Sequence, residues 1–125
     1  MSSIDQETVW AFFEELAFAA ARETLPRFRA PLVVENKAVV DGFDPVTEAD
    51  RAVEEALRRL IEARFPAHGI VGEEAAEKPG TSEFTWIIDP IDGTRSFMSG
   101  MPTWGTLVGL LEHGAPRFGM MSQPY

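Results

Sequence analysis

The sequence has no cysteine, little positive charge and no long hydrophobic run. With no cysteine among 125 residues, disulfides, thiolate metal sites and a cysteine nucleophile are excluded. No segment approaches the roughly 20 apolar residues of a membrane-spanning helix, since Glu14 and Glu15 interrupt the apolar stretch at 9–21. We therefore expect no membrane partner.

The shortage of positive charge argues against nucleic acid as a partner. Eleven Lys and Arg stand against 20 Asp and Glu, a net charge of −9, whereas phosphate-backbone contacts need clustered basic residues. Part of the basic charge lies in one predicted helix among glutamates, which predicts a solvated face with local ion pairs: Arg58, Arg59, Arg64, Glu54, Glu55 and Glu62. An acidic protein of this kind needs metal cations to handle phosphate.

The remaining composition is that of a globular protein. A hydrophobic content of 45% with 10% aromatics suffices for one domain with a real core. Asp5 and Glu7 stand where a signal peptide would carry basic residues. We therefore expect a cytoplasmic location.

Two long helices are predicted from apolar periodicity. The first runs from about residue 4 to 28, with Pro26 near its end. The second begins after Thr47, which with Asp50 forms a capping box, and ends at about Phe65, before a proline. A β-prone segment at 33–43 lies between them, and strands at 103–111 and 116–122 are predicted to form a hairpin near residues 113–114.

The stretch at 86–94 combines a strand with acids. Its apolar first half predicts a buried strand, which ends in Asp89 and Asp92 around Pro90. Pro90 cannot donate to a sheet ladder and Gly93 relaxes the backbone, so the chain must turn with both acids at the turn. Asp-Pro and Asp-Gly pairs are also ordinary turn chemistry, and such a pair alone is more often a turn than a site.

Two upstream acidic clusters favour a site over a turn. A short strand near 69–72 is followed at once by Glu73 and Glu74, and Asp50 lies at a helix N-terminus. Asp50 can be explained as a cap alone, but a carboxylate there can also face a site. For His68, which precedes that strand, a surface or capping role is preferred to metal ligation.

Together these motifs resemble the inositol monophosphatase family of Mg²⁺-dependent, Li⁺-sensitive phosphomonoesterases. The matching pieces are D-P-V-T-E-A-D at 44–50, G-E-E at 72–74 and the complete W-x-x-D-P-x-D-G-T-x-x-F pattern at 86–97. The resemblance implies an α/β (α+β layered) fold, with helices packed against a mostly antiparallel sheet. It also implies two or three Mg²⁺ ions, for which Mn²⁺ can substitute.

The resemblance assigns roles residue by residue. Glu73, Asp89, Asp92 and the carbonyl of Ile91 would be metal ligands, and Gly93 and Thr94 would hold phosphate through their amides. Glu73, Ile91 and Asp92 would thereby also contact the substrate. Asp50, paired with Thr94, would orient or deprotonate the attacking water, with Glu73 completing the catalytic set. A family lysine corresponds most nearly to Lys37, although the segment after it is longer here than is usual.

The resemblance also suggests a substrate. The stretch at 95–106, together with Gly93 and Thr94 before it, contains the G-T-[RK]-x-F-x-x-G-x-P-x-W pattern of the histidinol-phosphatase branch at 93–104. This resemblance implies L-histidinol phosphate, a small phosphorylated metabolite of histidine biosynthesis. Inositol-1-phosphate is the alternative, followed by nucleotide 3′-phosphate and fructose-1,6-bisphosphate. From another class, the rival is a non-catalytic metal-binding or interaction module.

Family members are about twice as long as this chain. Residues 1–125 are therefore expected to be the N-terminal part of a phosphatase domain, with a further metal-binding aspartate in the absent half. Family habit suggests a homodimer.

Overall fold

The structure, a computed structural model, describes residues 4–31, 34–36 and 45–125. Its elements in chain order are α1 (Gln6–Thr24), β1 (Val34–Asn36), β2 (Pro45–Thr47), α2 (Glu48–Arg64), β3 (Gly69–Val71), β4 (Phe84–Asp92), α3 (Thr94–Ser99), β5 (Gly105–Glu112) and β6 (Ala115–Ser122). Lys37 and most of the predicted 33–43 strand lie outside the described residues.

Both long helices begin at side-chain caps. Asp5 accepts a hydrogen bond from the Glu7 amide at the start of α1. At α2, Thr47 and Asp50 form the reciprocal capping box that the sequence predicts. Helix α1 ends at Thr24, four residues before the predicted end, and irregular turns lead to Phe28. Pro26 supplies no amide that could continue the helical ladder, which explains the earlier end.

The main sheet has four strands in the order β3-β4-β5-β6. Strand β3 runs parallel to β4, and the other two pairings are antiparallel, so the sheet is mostly antiparallel as predicted. The hairpin of β5 and β6 is confirmed, with left-handed backbone at His113 and Gly114. Strands β1 and β2 form a separate antiparallel pair.

The two long helices pack on one face of this sheet. Alternate residues of β4, namely Phe84, Trp86 and Ile88, are buried against α1 and α2. The Trp86 ring meets the Phe12 ring edge-on at a centroid distance of 5.3 Å. None of the described helices is long and apolar enough to span a membrane.

A second, smaller core lies at the far end of β4. It is built from Phe28, Ala49, Ile91, Phe97 and Trp104, all buried. The Phe97 and Trp104 rings contact edge-on at 5.0 Å. This cluster joins α3 to the N-terminus of α2, and it therefore supports the turn that carries the acidic residues.

Candidate active site

The parallel pairing of β3 and β4 brings two acidic segments together. Val71 is opposite Ile87 in the register, so the second residue after each, Glu73 and Asp89, lies at the same level along the two strands, although β4 itself continues to Asp92. The Glu73 carboxyl group lies close enough to Asp89 to raise the pKa of Asp89 by hydrogen bonding and by its charge. Sequence reasoning placed an acid at each strand end, and the register brings these two together.

A bulge in β4 separates Asp89 from Asp92. Asp89 pairs with Leu107 and Asp92 with Gly105, so β4 advances three residues while β5 advances two. Such an extra residue bends a strand and redirects its side chains. The Thr106 hydroxyl donates to the carbonyl of Pro90 at 2.8 Å inside the bulge. As a result Ile91 is buried in the smaller core, and Asp92 is exposed.

The electrostatics of this cluster centre on Asp89. Burial raises the pKa of Asp89 to about 8, helped by the hydrogen bond with Glu73 and by the charges of Glu73, Asp92 and Asp50. Its Oδ1 is buried and has no hydrogen-bond partner among the described residues. A buried carboxylate oxygen without a donor, surrounded by other carboxylates, is costly unless a cation binds there.

Asp50 faces Thr94 across the same site. Asp50 Oδ2 accepts from the amide of Thr47 at 2.9 Å and from its hydroxyl at 2.7 Å, which fixes the carboxylate. The hydroxyl of Thr94 lies 3.1 Å from Asp50 Oδ1 and 3.1 Å from the carbonyl oxygen of Ile91, and it can donate to one of them at a time. The capping and site-facing roles of Asp50 are thus compatible in one geometry.

Gly93 makes the turn between β4 and α3 possible. Its φ of 90° is left-handed, and a Cβ there would lie 2.7 Å from the carbonyl oxygen of Thr103. The next residue, Thr94, begins α3, so its amide lies in the first turn, where amides have no partner within the helix.

The chemistry of these groups fits a hard divalent cation. Glu73, Asp89, Asp92 and the Ile91 carbonyl supply only oxygen, which Mg²⁺ prefers. The partnerless Oδ1 of Asp89 is the observation of this structure that calls for such a cation.

A second group of possible ligands lies at the opposite end of β4. The ligand atoms of Glu83, Glu112 and His113 lie within 4.8 Å of one another. Glu112 is already paired with Arg117 at 3.0 Å. This group is far along the strand from Asp89, and sequence reasoning did not single it out.

Two sequence predictions about polar residues are wrong. His68 is not at the surface, since it is 8% exposed, stacks on the Phe65 ring at 4.6 Å and accepts a hydrogen bond from Trp86 Nε1. A buried indole N–H needs a partner, and His68 provides it. Glu54 is not on a solvated face, since it is 1% exposed and hydrogen-bonded to the loop after β3.

The spacing of residues in the sequence indicates that Glu54 is buried. Glu54 lies four residues after Asp50 and three before Leu57, so it falls on the buried stripe of α2. The solvated-face prediction holds for the pair of Arg59 and Glu55, both of which are exposed.

Comparisons with known proteins identify the family of this chain. A family model described as the inositol monophosphatase family matches residues 5–125. A histidinol-phosphatase of Chlorobaculum parvum is 46% identical over 111 residues, covering 88% of this chain and 42% of that protein. A histidinol-phosphatase of Mycobacterium tuberculosis is 40% identical over 112 residues, covering 87% and 42%.

Solved structures resemble the fold. The extragenic suppressor protein SuhB of Bartonella henselae superposes with a TM-score of 0.85 at 27% identity, covering 93% of this chain and 45% of that one. An inositol monophosphatase of Zymomonas mobilis gives 0.75 at 39% identity, covering 98% and 46%. The chain thus spans less than half the length of these relatives. With the family model matched over nearly its whole length, the chain belongs to the inositol monophosphatase family.

Proposed function

We propose that this chain carries the metal-binding part of a Mg²⁺-dependent phosphomonoester hydrolase. The observation that carries the proposal is the partnerless, buried Oδ1 of Asp89 beside the carboxyl group of Glu73. Two or three Mg²⁺ ions, or Mn²⁺ in their place, would be held by Glu73, Asp89, Asp92 and the carbonyl of Ile91. When bound, the ions supply Lewis acidity that makes water a better nucleophile and offsets the negative charge of the phosphate ester.

The protein groups would orient the water and take its proton. In hydrolysis, water attacks phosphorus, the ester P–O bond breaks, and the alcohol and inorganic phosphate leave. The Thr94 hydroxyl orients the water, accepts a proton from it and donates its own proton to Asp50 Oδ1. The leaving alcohol takes a proton from solvent. The fixed Oδ2 of Asp50 supports this role because it holds the carboxylate toward Thr94.

The substrate phosphate would lie at the turn after β4. The amides of Gly93 and Thr94 would donate to its oxygens, and Glu73, Ile91 and Asp92 would contact it through the metal ions. The start of α3 supports this role, since no side chain among the described residues caps it and the hydroxyl of its first residue, Thr94, lies 3.1 Å from Asp50. Phosphate adds negative charge to an acidic site, so binding depends on the cations.

We infer that the substrate is L-histidinol phosphate, a small phosphorylated metabolite of histidine biosynthesis. Three of the relatives are named histidinol-phosphatases at 40% to 46% identity, and residues 93–104 match the pattern of that branch. Inositol-1-phosphate is the second candidate, because other relatives are named inositol monophosphatases at 38% and 39% identity.

The proposal extends to the whole protein. Residues 1–125 would be the N-terminal part of a phosphatase domain, supported by relatives of which the chain spans 42% or less. The whole enzyme would be a cytoplasmic homodimer. Light scattering and cell fractionation test these two points.

A phosphate-release assay on the full-length protein tests the function. L-histidinol phosphate and inositol-1-phosphate are compared with Mg²⁺, with a chelator in its place and with added Li⁺. We expect Mg²⁺-dependent, Li⁺-sensitive release with the higher kcat/KM for L-histidinol phosphate. Preference for inositol-1-phosphate would favour the second substrate. If neither ester is hydrolysed, nucleotide 3′-phosphate and fructose-1,6-bisphosphate are assayed next. No release from any of the four, with Mg²⁺ still bound, would favour a non-catalytic module.

A further inference from the structure

The loop that carries Glu73 depends on a buried carboxylate of α2. Glu54 is 1% exposed, whereas its neighbour Glu55 is exposed. Glutamate is almost never fully buried unless it is paired. The contacts of Glu54 therefore show which groups compensate for the burial of its charge.

The Glu54 carboxylate binds three consecutive backbone amides. Oε1 accepts from the amides of Glu73 at 2.8 Å and Glu74 at 2.9 Å, and Oε2 accepts from that of Ala75 at 2.9 Å. Arg58 donates its Nε to Oε2 at 3.0 Å and its Nη2 to the carbonyl of Ala75 at 3.2 Å. The three amides and Arg58 Nε all donate to the Glu54 carboxylate, so these four hydrogen bonds are charge-assisted.

Gly72 allows this approach. A Cβ at Gly72 would lie 2.5 to 2.6 Å from the carboxyl carbon and both oxygens of Glu54. Any larger residue there would push the carboxylate away from the amides that follow. The glycine of the G-E-E segment therefore matters for its lack of a side chain.

A β-bridge between Ile70 and Lys78 closes the loop, but the residues around Glu73 within it belong to no helix or strand. Strand β3 ends at Val71, and residues 73–75 form a bend outside any helix or strand. The contacts with Glu54 and Arg58 bind this bend to α2, while the Glu73 side chain reaches Asp89 on the next strand.

We propose that Glu54 is a positioning residue of the metal site, which holds the backbone of residues 73–75 so that the Glu73 carboxylate reaches the cation beside Asp89. The inference rests on the proposed function, because it assigns Glu73 as a ligand. Partners of this kind that orient a metal ligand typically change metal affinity by about 10- to 100-fold when they are altered.

The test compares Glu54→Gln with Glu55→Gln in the full-length protein. Both changes remove one charge from consecutive residues of α2, but Glu55 is exposed and pairs only with Arg59 among the contacts described. Glutamine at position 54 replaces one accepting oxygen by an NH₂ group, which cannot accept a hydrogen bond from the backbone amides of residues 73–75 or from Arg58. Calorimetry should show Mg²⁺ binding weakened about 10- to 100-fold in Glu54→Gln and nearly unchanged in Glu55→Gln.

Two further readouts separate positioning from general stability. Amide hydrogen exchange at residues 73–75 should accelerate in Glu54→Gln, and saturating Mg²⁺ should restore most of kcat. A thermal melt of each variant shows whether the fold persists. If Glu54→Gln does not fold, Glu54→Asp keeps the charge on a shorter side chain and should show the same direction of change in Mg²⁺ affinity.

The outcomes distinguish this inference from the proposed function. Wild-type Mg²⁺ affinity in the folded Glu54 variants would overturn the positioning role alone. A wild-type protein that neither binds Mg²⁺ nor hydrolyses phosphomonoesters would overturn the proposed function and, with it, the role of Glu73 and Glu54 in the site.

Discussion

The hydroxyl of Thr94 lies 3.1 Å from Oδ1 of Asp50, although the two residues are 44 positions apart in the sequence. Asp50 also completes the cap of α2 through its other oxygen. One side chain therefore serves both a local structural contact and a long-range contact at the site. Substitutions can separate these two contributions.

Asp50→Asn should lower kcat of the full-length enzyme by about 10²-fold or more, because the amide cannot take a proton from water through Thr94. The stability loss should stay within about 1 kcal/mol, the usual scale of a cap. Asp5→Ala, which removes the exposed cap of α1, is the control and should cost a similar stability with kcat unchanged. Full activity in Asp50→Asn would leave Asp50 with its capping role alone. A rate assay and a thermal melt on both variants provide the measurements.

Asp89→Asn should weaken Mg²⁺ binding by more than about 100-fold. Substitution of a residue that only orients a metal ligand typically weakens it by about 10- to 100-fold. The reason for the larger effect is that Asp89 holds the buried oxygen without a donor. Glu112→Gln is the matched control, because Glu112 belongs to the acidic group at the other end of β4. Calorimetric titration decides between the two sites. If only Glu112→Gln weakens Mg²⁺ binding, the cation binds at the Glu112 end of β4 and not at Asp89.

The metal-free protein should lose stability as the pH rises from about 4 to about 8. In this window the folded protein keeps the proton of Asp89, whose pKa is raised to about 8 chiefly by burial, while the unfolded chain has released it near 3.8. Raising the pH therefore favours the unfolded state, and Mg²⁺ binding should strengthen as it displaces the proton. Urea unfolding at several pH values, with Asp89→Asn as the variant that cannot titrate, measures this contribution. The same pH slope in both proteins would contradict it.

His68 should make the folded protein less stable as the pH falls, the opposite of the effect of Asp89. Burial lowers its pKa from 6.5; the charge of Glu83 opposes this shift and that of Lys78 adds to it. The folded protein therefore holds His68 neutral, and stability falls as the pH drops below about 6.5. His68→Asn keeps an acceptor near the position of Nδ1 for Trp86 Nε1 but cannot titrate, so its acid-side loss should be smaller. Equal acid-side losses by urea unfolding would show that other groups dominate.

Residues 1–125 in isolation should be a poor phosphatase compared with the full-length protein. Glu73, Asp89 and Asp92 bring three negative charges, whereas two Mg²⁺ ions bring four positive ones and phosphate needs both ions held firmly. Strand β6 is also an edge of the sheet, with Met121 73% exposed, which favours self-association. Parallel assays of phosphate release and light scattering provide the test. Comparable turnover by the 1–125 polypeptide would show that no further ligand is essential.

The sequence by itself determined the local structure. Apolar periodicity and the capping box specify α2, because each depends on residues three or four positions apart. The turn after β4 follows from Gly93, because a left-handed φ is a property of a single residue. The turn predicted at Pro90 is wrong, since β4 continues past Pro90 through a bulge and ends at Asp92. The resemblance to the family also predicted from the sequence which acidic residues belong to the site.

Only the tertiary structure decided which of these residues meet. The parallel register of β3 and β4 brings Glu73 to Asp89, and register depends on the packing of distant segments. The same packing buries His68 against Trp86 and Glu54 against the loop, although both were predicted at the surface. A polar side chain can be buried when donors and acceptors from elsewhere in the chain satisfy it, and those partners are distant in sequence.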